Sequence, residues 1–182
     1  MRILHLKQDD FSTSRWSGGT TTELFIWPEG ANYATRDFQV RISSAVVELP
    51  ESDFTPLDGV LRYITPLSGG FTLIHPGKSP VVMDPLDTPY GFSGQEPTHC
   101  IGSATDFNLM LKGVGGEMRI VSGKQVCPQG LHAFYAHEKR EFTVSGQTYA
   151  LSPGELLVVF TMEASTMIDL GPDNTLACFA AI

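Results

Sequence analysis

Two arginines lie in apolar, strand-like segments, and their side chains are the best candidates in the chain for binding an anion. In residues 38–45 apolar and polar side chains alternate, so Arg41 and Ser43 share one face of the expected strand. Arg62 follows the turn at residues 56–59 and begins a second apolar stretch. A guanidinium group held on a rigid strand can make two parallel hydrogen bonds to a carboxylate. The pattern therefore predicts a binding site for a small carboxylate.

Further polar side chains are expected to complete this site. Residues 106–111 also alternate, which puts the side chains of Asp106 and Asn108 on one face. An alternative is a structural salt bridge, in which one arginine pairs with Asp106 or Glu23, or an arginine that points to solvent. Trp16 either stacks on a ligand or belongs to the core. The predicted ligand-binding residues are Arg41, Ser43, Arg62, Asp106, Asn108, Glu23 and Trp16.

Short strands joined by turns must position these side chains. The 182 residues include 18 glycines and 12 prolines, 42% of residues are hydrophobic, and 18% are charged. Glycine and proline together exceed their usual share of about 12%, and charged residues fall below their usual share of about 25%. Strand-like runs bounded by glycine, proline, aspartate and serine recur along the chain, and no convincing long helix appears. This pattern predicts an all-β sandwich or barrel.

Charge and hydropathy argue against several classes of protein. The formal charge is −8, from 20 acidic and 12 basic residues, which disfavours nucleic-acid binding. No run approaches the ~18 apolar residues of a membrane-spanning helix, and residues 1–7 lack the apolar run of a signal peptide. The three cysteines form no C-x-x-C pair, so we expect reduced thiols. We therefore expect a soluble, cytoplasmic protein without a nucleic-acid or membrane partner.

The two halves of the chain resemble each other weakly. In each half a strand leads through a turn containing proline and an acidic residue to an apolar strand. Such a repeat predicts two barrels of the same kind. The residue pairs that share one offset, 68 positions, are Pro85 and Pro153, Asp87 and Glu155, and Phe92 and Phe160.

The chain contains four ordered segments that match one known family pattern: residues 16–24 (WSGGTTTEL), 36–45 (RDFQVRISSA), 54–62 (FTPLDGVLR) and 106–110 (DFNLM). It thereby resembles the HutD/Ves family of bicupin-like proteins, some of which are encoded with histidine-utilisation enzymes. The family usually reads Trp-Lys-Asn before its glycines, whereas Ser17 follows Trp16 here, so the role of that asparagine is not carried over. The resemblance implies two cupin-like (RmlC-like) barrels, residues 1–115 and 116–182, packed as one compact unit.

Histidine spacing argues against a conventional cupin metal site. Such a site needs a His-x-His pair on one strand face, and none of the five histidines forms one. His132, His137 and Glu138 offer a different set of donors, for which the alternative is an exposed polar turn. The sequence also lacks a G-x-S-x-G elbow, an H-E-x-x-H motif and a recognisable Cys–His pair. We therefore expect no catalytic residue, no bound metal and no cofactor.

The resemblance implies a non-enzymatic binding protein. Its association with histidine utilisation implies a ligand such as formiminoglutamate, urocanate or glutamate, and a regulatory role in amino-acid catabolism. One alternative is a cupin enzyme, metal-free or with an atypical metal site, that acts on a small acid or sugar derivative. Another is a structural protein whose barrels are filled with side chains. The apolar residues 176–182 predict a strand buried in the sandwich or at a homodimer interface.

Overall fold

The computed structural model describes residues 1–162 and 166–182, which fold as β-strands joined by turns. Helical structure in these residues is confined to a 3-10 turn at Gln8–Asp10, and no helix among them is long and apolar enough to cross a membrane. The strands in chain order are β1 (Arg2–Leu6), β2 (Ser12–Trp16), β3 (Gly19–Trp27), β4 (Val40–Val47), β5 (Glu51–Asp53), β6 (Val60–Gly69), β7 (Phe71–Ile74), β8 (Val81–Met83), β9 (Tyr90–Ser93), β10 (His99–Ile101), β11 (Ala104–Lys112), β12 (Gly116–Val121), β13 (Lys124–Cys127), β14 (Gly130–Tyr135), β15 (Arg140–Val144), β16 (Gln147–Leu151), β17 (Leu156–Thr161), β18 (Thr166–Asp169) and β19 (Thr175–Ala180).

The chain divides into two compact units. The first unit is Ser12–Gly113, and the second combines Met1–Phe11 with Val114–Ile182. The division expected from the sequence, at residue 115, placed residues 1–11 with the first half. The structure places them with the second, because β1 pairs with β17 along its whole length. This pairing brings together two strands about 150 residues apart in the chain, and local sequence carries no signal for it.

The first unit consists of two antiparallel sheets. The larger has the strand order β2-β3-β4-β11-β6-β9, and the smaller has the order β5-β10-β7-β8. The central strands β4 and β11 are buried on both faces: Ile42 and Phe107 are fully buried on one face, and Arg41 and Asn108 are buried on the other. Polar side chains on that second face are therefore removed from bulk water.

The second unit also consists of two antiparallel sheets. Their strand orders are β1-β17-β14-β19-β12 and β13-β18-β15-β16. Strand β19 lies between β14 and β12, as the apolar C-terminal segment predicts for an interior strand. The core of this unit contains a cluster of buried residues that includes Phe134, Phe142 and Leu157.

A turn of the same construction occurs in both units, 68 residues apart. In the first unit the Asp87 amide donates to the Asp84 carbonyl at 3.1 Å, and the Asp84 amide donates to the Asp87 carboxylate at 2.8 Å. In the second, the Glu155 amide donates to the Ser152 carbonyl at 3.1 Å, and the Ser152 amide donates to the Glu155 carboxylate at 3.0 Å. The pairing of Asp87 with Glu155 in the sequence repeat therefore has a geometric basis.

The strands that the sequence pattern missed are short or solvent-exposed. Strand β2 is exposed along its whole length, so no apolar alternation marks it. Strands β5, β10 and β13 have only three or four residues each. The sequence also predicts a strand over residues 165–169. Ser165 lies outside the described residues, and β18 begins at Thr166. The three cysteines are free thiols, and all are buried.

Candidate functional site

Arg41 and Arg62 lie in one row of the larger sheet of the first unit. Arg41 on β4 and Arg62 on β6 are both paired in register with Met110 on β11, which lies between them. Because neighbouring strands are about 4.8 Å apart, the two arginine Cα atoms are separated by roughly 10 Å. Only 6% of Arg41 and 7% of Arg62 is exposed. The fold therefore brings two buried cations together on one sheet face. We call the pair Arg41 and Arg62 the arginine row.

Arg41 has polar and aromatic partners. Its Nε donates to Glu23 Oε2 at 2.7 Å, and its Nη1 donates to Ser43 Oγ at 3.2 Å. The guanidinium carbon lies 4.0 Å from the centroid of the Tyr33 ring. The salt bridge weighed from the sequence is thus present between Arg41 and Glu23. It neutralises much of the charge on Arg41.

Arg62 lacks a comparable acidic partner. Its Nη2 donates to Asn108 Oδ1 at 3.1 Å, and the Phe54 and Phe92 rings lie 4.6 and 5.3 Å from its guanidinium carbon. Among the residues that the structure describes, no carboxylate forms an ion pair with Arg62, and its buried Nε has no hydrogen-bond partner. Burial lowers the pKa of Arg62 to about 10, so the group stays positively charged at neutral pH. A buried charge of this kind is unfavourable unless an anion joins it.

Asp106 is connected to Arg62 through Asn108. Asn108 Nδ2 donates to Asp106 Oδ1 at 2.5 Å, and the Ala45 amide donates to the same oxygen at 3.2 Å. Burial raises the pKa of Asp106 to about 7, although the Ala45 amide, the charge of Arg62 and the Asn108 hydrogen bond each lower it. At neutral pH much of Asp106 therefore carries a proton. In that state it does not neutralise Arg62.

Aromatic residues around the two guanidinium groups were not predicted from the sequence. Tyr33 lies in the loop between β3 and β4, and the guanidinium carbon of Arg36 lies 3.7 Å from the centroid of the same ring that covers Arg41. Phe54 and Phe92 belong to segments far apart in the chain. No periodic pattern marks the loop at residues 28–39, so the sequence offers no signal that Tyr33 reaches Arg41.

Trp16 is the one predicted ligand-binding residue that the structure does not bring to the others. It ends β2, and its ring packs so closely on Gly18 that a Cβ there would lie 2.1 Å from a ring carbon. Trp16 pairs with Gly19, and Gly19 pairs with Val47 on β4. Val47 lies roughly 20 Å from Arg41 along that strand. Trp16 therefore covers its own turn and takes no part in the arginine row.

His132 and His137 occupy separate environments. His132 is buried within strand β14, not in an exposed turn, and its Nε2 lies 2.8 Å from the Pro128 carbonyl oxygen. His137 Nε2 lies 3.3 Å from Arg140 Nη2. The described part of the chain contains no group of three or more His, Cys, Asp or Glu side chains placed to hold a metal ion.

Asp106 should make the protein less stable as the pH rises from about 4 to about 7. In this range the folded protein keeps the Asp106 proton, since burial raises the pKa from 3.8 to about 7, whereas the unfolded chain has released it. The Asp106→Asn variant should therefore lose less stability than the wild type between pH 5 and 8, as measured by urea unfolding. Asp58→Asn, an exposed substitution, should behave like the wild type. Equal losses in all three proteins would contradict a buried, protonated Asp106.

Solved structures similar to this one share the cupin-like, all-β fold. A conserved protein of unknown function from Pseudomonas aeruginosa is 20% identical over 99% of this chain and 98% of that chain, with a TM-score of 0.85. HutD from Pseudomonas fluorescens, in a formate condition, is 22% identical over 100% of both chains, with a TM-score of 0.82. The bacterial pirin YhhW from Escherichia coli, in complex with nickel(II), is 11% identical over 98% of both chains, with a TM-score of 0.64.

The sequence itself also matches a known family. No curated protein matches the chain. The HutD family model, in contrast, matches residues 8–177, which include all the residues of the arginine row. The chain belongs to the HutD family.

Proposed function

We propose that this HutD-family protein binds a small carboxylate between Arg41 and Arg62. The observation that carries the proposal is the state of Arg62, a buried cation with no described acidic partner and an unused Nε donor. A ligand carboxylate would supply the missing negative charge and accept a hydrogen bond from Arg62 Nε. Arg41 supplies a second guanidinium group from the other side of Met110 in the same row. Paired guanidinium donors of this kind are well suited to a carboxylate.

The second part of the proposal concerns architecture: each unit is one cupin barrel, so the protein is a bicupin. The matching turns at Asp87 and Glu155 support an internal duplication. The backbone amide just before each acidic residue also donates to the carbonyl of a distant residue. The Leu86 amide donates to the Pro66 carbonyl at 2.9 Å, and the Gly154 amide donates to the Ala136 carbonyl at 2.7 Å. Two sheets in each unit are consistent with this architecture.

The proposed ligand is a carboxylate metabolite, and the proposed role is regulatory. Formiminoglutamate, urocanate and glutamate are the candidates, because the resemblance to the HutD/Ves family implies an association with histidine utilisation. Formate, present in the condition of the related Pseudomonas fluorescens structure, is the smallest probe of the same chemistry. A protein that binds such a metabolite without changing it would report its concentration in the cytoplasm.

A panel of ligands tests the proposal by thermal denaturation. At a ligand concentration of about 100 times Kd, binding to the folded state adds about 2.7 kcal/mol of stability. For a protein of this size that corresponds to a rise in Tm of roughly 5–10 °C. Formamide and urocanamide, which lack the carboxylate of formate and urocanate, are the matched controls and should give no rise. Equal shifts with the amides, or no shift with any carboxylate, would contradict the proposal.

A metal-free enzyme is the second candidate function, and one observation favours it. A carboxyl group with a pKa of about 7 in a buried site, as Asp106 has, suits general acid–base catalysis. Asp106 would then transfer a proton to or from the bound acid. Incubation of the protein with each candidate ligand, followed by NMR of the mixture, distinguishes the two functions. Products that disappear with Asp106→Asn would favour the enzyme, and unchanged ligands favour the binding protein.

Removing the negative charge of Glu23 should tighten carboxylate binding several-fold. Glu23 pairs with Arg41 at 2.7 Å, so it competes with a ligand carboxylate and repels it. In Glu23→Gln the amide oxygen still accepts from Arg41, and the local charge becomes more positive. Isothermal titration calorimetry measures the change in Kd. Glu48→Gln removes an exposed carboxylate, 3.4 Å from Arg15, and should leave Kd unchanged. Unchanged or weaker binding by Glu23→Gln would contradict competition between Glu23 and the ligand for Arg41.

A further inference from the structure

A pocket of about 110 Å³ opens in the second unit, in a part of the molecule that the proposed function does not use. Its walls come from the five-stranded sheet and from β13 beside it. On the sheet, His132 is in register with Phe179 and Glu117, which places all three side chains on one face. This volume is smaller than the about 150 Å³ of an engineered apolar cavity that holds benzene, so a single ring fits here when part of the ligand extends out through the opening.

A buried histidine provides a hydrogen-bond acceptor in this pocket. Only 5% of His132 is exposed, and its Nε2 must donate to the Pro128 carbonyl, which can only accept. Burial lowers the pKa of His132, and the nearby charge of Arg119 lowers it further, so the ring is neutral at neutral pH. Nδ1 therefore carries a lone pair, and it has no hydrogen-bond partner among the described residues.

Aromatic rings form the walls of the pocket. The Phe179 ring stacks on His132 with a centroid distance of 5.0 Å and an interplanar angle of 30°, and Phe134 also lines the pocket. Cys127 also lines the pocket, and burial raises the pKa of its thiol, so it is not a thiolate at neutral pH. The walls therefore favour a flat, apolar ring that binds without covalent chemistry.

A cation lies at the opening. The side chain of Arg119 is 62% exposed, and its Nε lies 3.3 Å from Glu117 Oε1. Its two terminal nitrogens have no protein partner among the described residues, so they can donate to a carboxylate at the surface. His132 and Arg119 lie on strands separated by β19, roughly 10 Å across the sheet. A single aromatic ring with a polar group at each end can span the space between their side chains.

We propose that this pocket binds an aromatic carboxylate of one ring that also carries a ring hydroxyl or ring N–H. The hydroxyl or N–H donates to His132 Nδ1, the ring packs against Phe134 and Phe179, and the carboxylate meets Arg119. This is a second ligand site, independent of the arginine row in the first unit. The site uses an acceptor nitrogen, His132 Nδ1, that no described protein group occupies.

The test uses 4-hydroxybenzoate as the probe at pH 7.5, where its carboxylate is ionised and its hydroxyl is protonated. Isothermal titration calorimetry of the full chain should show saturable binding, and benzoate should bind about tenfold more weakly because it cannot donate to His132. Arg119→Gln should weaken 4-hydroxybenzoate about tenfold. Lys124→Gln removes an exposed lysine on β13 and should have no effect. Arg15→Gln, an exposed substitution in the first unit, should also have no effect.

A second readout keeps the test independent of protein folding. His132→Phe retains a ring but removes both nitrogens, and its fold is checked by a ¹⁵N–¹H spectrum. In the wild type, the ¹⁵N resonance of His132 Nδ1 should shift on addition of 4-hydroxybenzoate and stay fixed with benzoate. The proposal is wrong if 4-hydroxybenzoate does not bind at about 10 mM, if Arg119→Gln binds it as the wild type does, or if the folded His132→Phe variant binds it as the wild type does.

Discussion

Replacing Arg62 by methionine should abolish the stabilisation by small carboxylates and leave a folded protein. Methionine preserves the apolar stem between Phe54 and Phe92 but removes the buried cation. Truncating one partner of a buried, hydrogen-bonded charge pair costs about 2–5 kcal/mol, which corresponds to a loss of affinity of roughly 30-fold to 5000-fold. Isothermal titration calorimetry with the carboxylate that gives the largest thermal shift measures this change.

Arg140→Met is the matched control for this experiment. Arg140 is also 7% exposed, but it is paired with Glu138 and Asp173, each at 2.7 Å, in the second unit. Its removal should lower stability without changing the carboxylate Kd. If Arg62→Met binds the carboxylate as tightly as the wild type, the arginine row is not the binding site. If both variants lose binding equally, the effect comes from general destabilisation.

Replacing Phe107 by alanine should destabilise the protein by about 3–5 kcal/mol. Phe107 is fully buried on β11, at the centre of the six-stranded sheet, and its side chain lies on the face opposite to Asp106 and Asn108. Truncation leaves a cavity on the face of the sheet opposite to the arginine row, beneath the strands that carry the two arginines. Urea unfolding measures the loss, and the folded variant should still bind the carboxylate because none of the binding groups has been removed.

Val82→Ala provides the comparison for Phe107→Ala. Val82 lies on β8 at the edge of the smaller sheet of the same unit and is 71% exposed. The free energy of unfolding should change by no more than about 0.5 kcal/mol. A loss below about 1 kcal/mol for Phe107→Ala would mean that the face opposite the arginine row does not form a well-packed core.

Local alternation was enough to predict which residues share the polar face. It placed Arg41 with Ser43 and Asp106 with Asn108. The structure shows both pairs buried on the same face of the larger sheet. The same reasoning could not provide the strand order. Met110 separates the two arginines only because β11 inserts between β4 and β6, and that pairing depends on contacts between distant parts of the chain.

Other features of the site required the folded chain. Tyr33 covers Arg41 from a loop without periodicity, and the unpartnered Nε of Arg62 is a property of the assembled core. Trp16 belongs to a matching family segment, yet register places it far from the arginine row. Residue type alone left two alternatives for Trp16, a ring that stacks on a ligand and a ring in the core. The structure shows its ring packed closely on Gly18.

The structure of a complex tests the central proposal most directly. Crystals grown with saturating formate, and separately with urocanate, should show a carboxylate whose oxygens lie about 2.7–3.1 Å from nitrogens of both Arg62 and Arg41. The Arg62 Nε, unpartnered here, should be one of the donors. A saturated crystal with no carboxylate beside Arg62, or with the carboxylate bound only elsewhere, would contradict the proposed function.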